Sequence, residues 1–460
     1  MSLILFTGVL VAISFLLSPR TQTADGFFKG YSENGAPPSL WTLVFSQVTT
    51  WIFARSLMNA AILGYYYGIA GATAYAAYYL SFLTGGLIID RIRFEHGHES
   101  IQSFLRDHFG RLGSGTYNIV VAVRLLSEVF ANLLVIGVLF GAAGSNAYTF
   151  GVIAIAVLTL GYSMMGGLRA SLRTDVFQTL VLIGVLLMLL GQTLTGSGFS
   201  VSAVLGSSSD PSGPGWVLLA VALLQIWSYP MHDPVMMDRG FLADRATTRR
   251  SFMHAAWISI IGILIFGLLG VHAGLFKSEG EALVATLTRL FGEPTMLLFN
   301  AALVVSALST LDSTFSSASK LTIVDMKLAP QLPHNGRIAM ALFLIGGLVF
   351  LFLGSKDLFA AVAVSGTASM FLAPVLFFCI LGKRRVARWS YAFSFFCAMA
   401  AGAIYMLEAG GQISLMEPLF GVGHKYAKLL ILCIMVLTAG CIAFALGTRT
   451  VELKESGEMV

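Results

Sequence analysis

The stretch Ser306–Asp325, SALSTLDSTFSSASKLTIVD, lies in a segment otherwise apolar enough to live in lipid. Its hydroxyls at Ser306, Ser309, Thr310 and Ser313 recur at i, i+3, i+4 and i+7, which puts all four on one face of a helix. Beside them stands Asp312, a carboxylate that hydrocarbon penalises by roughly 2.5–3.5 kcal/mol on insertion scales. Some interaction must offset that cost. A dry hydroxyl stripe with one acid suits a small hard cation such as Na+, which takes several oxygen ligands and little net charge. The same hydroxyls also suit bonds back to their own helix's carbonyls, or to a neighbouring helix. On this stretch alone both readings stand.

Composition places the surroundings of that stretch. Of 460 residues, 57% are apolar and only 11% charged, against roughly 25% charged in soluble domains, and the mean hydropathy is +0.82. The apolar runs are about 20 residues long and recur to the C-terminus, so they read as membrane-spanning helices. The Met1–Leu17 run lacks a basic start and a small-residue cleavage site, and reads as a retained first helix. Four cysteines, all in apolar segments, show neither metal spacing nor a disulfide framework.

The hydropathy pattern predicts thirteen spans, at 2–18, 40–66, 68–90, 117–142, 148–167, 174–195, 216–236, 251–276, 294–325, 335–354, 357–381, 388–408 and 426–447. Loops after odd-numbered spans, with the C-terminal tail, carry twenty Lys and Arg, whereas the loops on the other side carry four: Lys277, Arg289, Lys356 and Lys425. This segregation predicts an external N-terminus and a cytoplasmic C-terminus in a plasma membrane, such as a bacterial inner membrane. The loops are short. The 277–293 loop has apolar residues at helical spacing, as in an interfacial helix. The HGH run at His96–His98 lies in a charged loop and makes a weak metal candidate. No carboxylate pair, Ser/His pairing or phosphate-cradling loop suggests an enzyme.

Two spans read as broken. The second contains SQVTTWIFAR, Ser46–Arg55, too polar and β-branched for a plain lipid helix. The seventh contains QIWSYPMHDP, Gln225–Pro234, whose prolines each remove a backbone donor. Irregular backbone at membrane depth persists where it is buried or lines a cavity, and its freed carbonyls become ligands. Spans two and seven are five apart. The fold class predicted is therefore an all-α polytopic membrane protein with a five-plus-five inverted-repeat core of the leucine-transporter type. Its parts are an N-terminal helix and loop (1–39), two repeats (40–195 and 216–381), and two peripheral helices with a tail (388–460).

Four stretches resemble the sodium/solute symporter family, that of the bacterial sodium/proline and sodium/galactose symporters. ADGFFKGYSENG, Ala24–Gly35, is similar to the family's segment after its first helix. GYSMMGGLRASLRTDVFQ, Gly161–Gln178, resembles the signature in which a Gly-Gly pair precedes Thr-Asp-x-x-Gln. STLDSTFSSASKLTIVD, from Ser309, resembles the eighth core helix, and MMDRGFLADRATTRRSF, from Met236, the loop after the sixth, with Asp238 where the family has Gln. The resemblance runs through nearly the whole chain, in order.

That resemblance implies a main sodium site from the carbonyls of Thr49, Ile52 and Ser306 and the hydroxyls of Ser309 and Thr310. It also implies a possible second cation site at Asp175, Ser309, Asp312 and Ser313, where Asp312 stands in place of a hydroxyl and suits a cation or a proton. Substrate-facing positions fall on Trp51, Arg55, Ser56, Asn132, Gln225 and Tyr229. Arg55 is unexpected there. It suits a solute carboxylate gripped bidentately, or an internal salt bridge to Asp312, Asp233 or Glu128. Arg124 and Glu128, at i and i+4, read as a mutual pair. The function expected is sodium-coupled symport of a small organic solute. Proton coupling in the same fold, and a non-transporting sensor or scaffold, are the alternatives. No cofactor, no metal beyond Na+, no nucleic acid and no obligate protein partner is implied; the partners are Na+, the solute and the bilayer.

Overall fold

The computed structural model describes residues 3–196, 198–353 and 366–456, and among these it is helical with no strand. The spanning elements are α1 (Leu3–Leu17), α2 (Leu40–Trp51), α3 (Ala54–Phe94), α4 (Ile101–Phe140), α5 (Asn146–Gly166), α6 (Leu168–Thr195) and α7 (Pro214–Gln225). They continue as α8 (Arg245–Leu275), α9 (Leu283–Lys320), α10 (Pro333–Leu353), α11 (Gly366–Leu381), α12 (Arg388–Ala409) and α13 (Lys425–Ser456). Nine helical stretches among the described residues are long and apolar enough to cross a membrane, and α1, α7 and α11 are shorter apolar helices. The predicted start of the eleventh span, at 357, lies outside the described residues.

The 41-residue α3 holds parts of two predicted spans. They part at Gly68, whose φ of 63° and ψ of −150° break the helix where hydropathy placed the boundary. A Cβ here would lie 2.5 Å from the Ser207 carbonyl, and the strain of positive φ adds to that. Ser207 and Ser208 cap the restarted helix, their hydroxyls accepting from Ile69 N at 2.9 Å and Ala70 N at 3.1 Å. The loops after spans two and six therefore lie at one end, as the predicted topology requires. At the opposite, Arg-rich end, the two motif stretches pack together: Gly167 turns α5 into α6 at φ 59°, against the Phe27 carbonyl.

Small residues bring α3 and α8 together backbone to backbone. Ala60, Ala61 and Gly64 face Gly267 and Gly270, Gly274 meets the Tyr65 backbone, and a Cβ on Gly270 would fall inside van der Waals contact with the Ala61 carbonyl. Membrane helices lack a hydrophobic drive to associate, so this close approach supplies much of the packing. Gly270→Val is expected to cost about 3 kcal/mol or more, because a backbone carbonyl cannot step aside as a side chain can. Thermal unfolding of the purified protein reads this, with Gly184→Ala, where nothing lies within 4 Å, as an unshifted control.

Both predicted breaks are present. α2 ends at Trp51, Ile52 leaves helical geometry at ψ 69°, and helix resumes at Ala54. After α7 the chain runs through a 3₁₀ turn, Tyr229–His232, a single helical turn, Pro234–Met237, and a second 3₁₀ turn, Asp238–Phe241. α9 crosses between the breaks, and its bend at Gly292 (φ 72°) sets off a short helical arm, from Leu283, within the 277–293 stretch.

Candidate ion and solute site

Ending α2 at Trp51 frees carbonyls that a continuing helix would have bonded. Side chains answer them. Ser306 of α9 donates to the Ile52 carbonyl, and Tyr79 donates to the Trp51 carbonyl at 2.9 Å. Thr310 Oγ1 lies 3.5 Å from Thr50 O and 2.9 Å from Ser306 O, one turn back on its own helix. The hydroxyl stripe thus does both things its spacing allows. Ser306 bridges helices, whereas Thr310 and Thr314 bond back to carbonyls four residues earlier. Of the five residues expected at the main sodium site, Ile52, Ser306 and Thr310 come together here. Thr49, expected there through its carbonyl, has a buried hydroxyl with no hydrogen-bond partner among the described residues.

Ser309 turns elsewhere, donating to Asp175 Oδ1 at 2.8 Å. That carboxylate belongs to a second, fully buried cluster between α2, α6 and α9. Ser46 donates to Asp175 Oδ2 at 2.5 Å. Ser171 and Thr174 each donate to Asp312 at 2.8 Å, and Ser313 lies 2.8 Å from Ser171 and 3.5 Å from Asp175. Asp175, Ser309, Asp312 and Ser313, grouped by the family resemblance, are thus neighbours. The sequence reading missed their centre, which is Arg239. By position it reads as one of the loop charges, yet it is fully buried. Its guanidinium donates to Ser46 at 3.1 Å, to Ser313 at 2.8 Å and to Val235 O at 2.8 Å, and lies 3.6 Å from Asp175. The available signal was an arginine in an apolar run just after a broken helix; ordinary loop charge explained it equally well.

A third group spans the two breaks. Arg55 donates to Glu128 at 2.7 Å, so the internal pair forms, and with Glu128 out of the three acids considered. Arg124 also pairs with Glu128, as its i, i+4 spacing implied. It reaches further, to Asp233 at 2.9 Å. Asp233 in turn accepts from Trp51 Nε1 at 3.0 Å and from Met236 N at 3.2 Å, capping the turn at Pro234. One carboxylate therefore ties both broken segments to α4. Arg55 keeps Nε and Nη1 without hydrogen-bond partners among the described residues, and Asn132 donates to the Glu128 carbonyl at 2.9 Å.

An aromatic cavity adjoins this group, lined by Trp51, Phe53, Ser56, Tyr75, Tyr78, Tyr79 and Tyr229. Three expected solute-facing residues, Trp51, Ser56 and Tyr229, are in its wall. Gln225 lies behind Tyr78, whose hydroxyl donates to it at 2.9 Å. Arg55 and Asn132 are not lining residues. The space open to a water's centre is about 20 Å³, room for roughly one water, so a solute requires the walls to part. At the Arg-rich end the segment after α7 is fastened to α9, since Lys320 bridges Asp238 at 2.8 Å and Asp325 at 3.1 Å. In the His96–His98 run, His96 pairs with the Ile380 carbonyl at 2.9 Å.

No family model and no curated protein sequence matches the chain. Its likeness is to solved structures. It superposes on a Na+-coupled sialic acid symporter in a substrate-bound, outward-open state with a TM-score of 0.74 at 15% identity, covering 98% of this chain and 96% of that one. It also superposes on Mhp1, a nucleobase-cation-symport-1 family transporter, in a closed conformation with bromovinylhydantoin bound: TM-score 0.60, 15% identity, 95% and 96% coverage. Inward-facing Mhp1 fits less well, at 0.53, with 14% identity and 94% and 96% coverage. The fold of this chain is the helical transporter fold that these symporters share, of the leucine-transporter type.

Proposed function

We propose that the chain is a sodium-coupled secondary active symporter of a small organic solute, of the sodium/solute symporter family. Its repeats occupy 40–195 and 216–381, its N-terminus is external and its C-terminus cytoplasmic. The observation that most supports this is the Ile52 carbonyl, freed by a helix break, one residue from the aromatic cavity and met by Ser306 of the hydroxyl helix, with Thr310 one turn along that helix and 3.5 Å from the Thr50 carbonyl. Na+ entering there replaces the Ser306–Ile52 bond as the link between α2 and α9. Solute binds against Trp51, Ser56 and Tyr229, with Gln225 behind Tyr78. The unpartnered Nε and Nη1 of Arg55 suit a carboxylate on the solute. Each Na+ moved through about 100 mV contributes roughly 2.3 kcal/mol, enough to sustain a useful solute gradient.

Uptake into proteoliposomes, with and without an imposed sodium gradient, tests the reading across carboxylates, amino acids, sugars and polyols. Sodium-stimulated uptake of at least one class is expected. Absence of any such flux, together with no effect of sodium on thermal unfolding, would sink it. The Asp175–Asp312 cluster favours one rival, proton coupling. Stimulation by a pH gradient but not by sodium or lithium would establish that rival instead.

A further inference from the structure

Two of the four residues that the family resemblance groups into a second cation site, Asp175 and Ser313, already face a cation, and it belongs to the chain. Arg239 Nη2 lies 2.8 Å from Ser313 Oγ, 3.4 Å from Ser171 Oγ and 3.6 Å from Asp175 Oδ2. Its Nε engages Ser46, the residue that also donates to Asp175. We propose that the Arg239 guanidinium is the resident cation of this second site, so that the protein binds one Na+, at Ile52, Ser306 and Thr310. This rests on the sodium-symport reading above.

Sterics and charge agree. An Na+ placed among the Asp175, Ser171 and Ser313 oxygens would touch Nη2 and meet a like charge in a dry interior, where repulsion is little screened. The core's net charge is the second constraint. Arg55 and Arg124 are balanced by Glu128 and Asp233. Around the two ion sites, with both carboxylates ionised, Arg239 balances one of Asp175 and Asp312, which leaves a single uncompensated negative charge there. One Na+ at the main site neutralises it; two would leave this region positive, at a desolvation cost that no acid within it offsets. Asp312 now has a reason to stand where a hydroxyl was expected. With Arg239 present, a lone Asp175 would leave no net charge to attract the Na+. The loaded site is neutral when its solute is uncharged or zwitterionic.

Equilibrium binding of ²²Na+ to the purified full-length protein needs no knowledge of the solute. Wild type is expected to saturate at one Na+ per chain with a Hill coefficient near 1. Arg239→Gln vacates the place and adds a net negative charge, so two Na+ per chain are expected. Arg239→Lys keeps the charge and should stay at one. Asp312→Asn, nearly isosteric, should keep one Na+ but weaken it at least tenfold. Two Na+ on wild type, or a single ion of wild-type affinity on folded Arg239→Gln, would overturn the proposal while sparing sodium symport. No saturable Na+ binding by wild type would overturn both.

Discussion

Glu128→Ala should be among the most damaging single substitutions in the chain. Glu128 Oε1 accepts from both Arg55 and Arg124, and all three side chains are at most 3% exposed. Removing the carboxylate leaves Arg55 with no anionic partner and a surplus positive charge in the interior. Breaking a buried pair by deleting one member costs about 3–5 kcal/mol, a large share of the 5–15 kcal/mol by which a typical folded domain is stable. The expected result is a steep fall in the thermal unfolding midpoint, or no monodisperse protein by size exclusion. Arg55→Met combined with Glu128→Gln should recover much of the loss, since Arg124 retains Asp233. Arg55→Gln alone should be milder, because Arg124 still holds Glu128. Should Glu128→Ala unfold like wild type, the Arg55 pairing described here does not hold the interior together.

The second large effect separates neighbours on the hydroxyl helix. Thr310→Ala is expected to weaken Na+ by about 10- to 100-fold, from the 1.5–3 kcal/mol of a bond to a charged group at 1.4 kcal/mol per tenfold. Ser309→Ala should do less to Na+. Its hydroxyl is one of several donors to Asp175, so its loss is a stability cost of about 1 kcal/mol. Sodium-dependent thermal shifts of the two variants distinguish these roles. Equal loss of sodium affinity in both would return Ser309 to the main site and count against the division drawn here.

Much of the architecture was legible in residue order because its signals are local. Apolar runs of fixed length, prolines at Pro230 and Pro234, and a polar break from Ser46 to Arg55 each declare themselves within a few turns. So did the boundary at Gly68. Side-chain direction was another matter. Ser309 and Thr310 are adjacent, share one broad face and read alike as ligands, yet one serves Asp175 and the other the Ser306 and Thr50 carbonyls. A difference of 100° around the helix decides it, and which neighbour waits at that angle is a tertiary fact.

The same limit explains Arg239 and Arg55. Each finds its partner far along the chain: Arg239 lies 68 residues from Ser171 and 74 from Ser313, and Arg55 lies 73 from Glu128. By itself the sequence determined a membrane protein of thirteen expected spans, two broken helices and a hydroxyl helix bearing one unexpected acid. These follow from hydropathy, backbone sterics and the cost of charge in lipid, all of which act on short stretches. Only the tertiary structure decided that Arg239 stands among the oxygens expected for a second ion, that Glu128 holds Arg55, and that Asp233 ties the two breaks together. Pairing of buried charges is set by distance in space and by the need of each to find a partner once water is excluded, and neither is written in the spacing of residues along the chain.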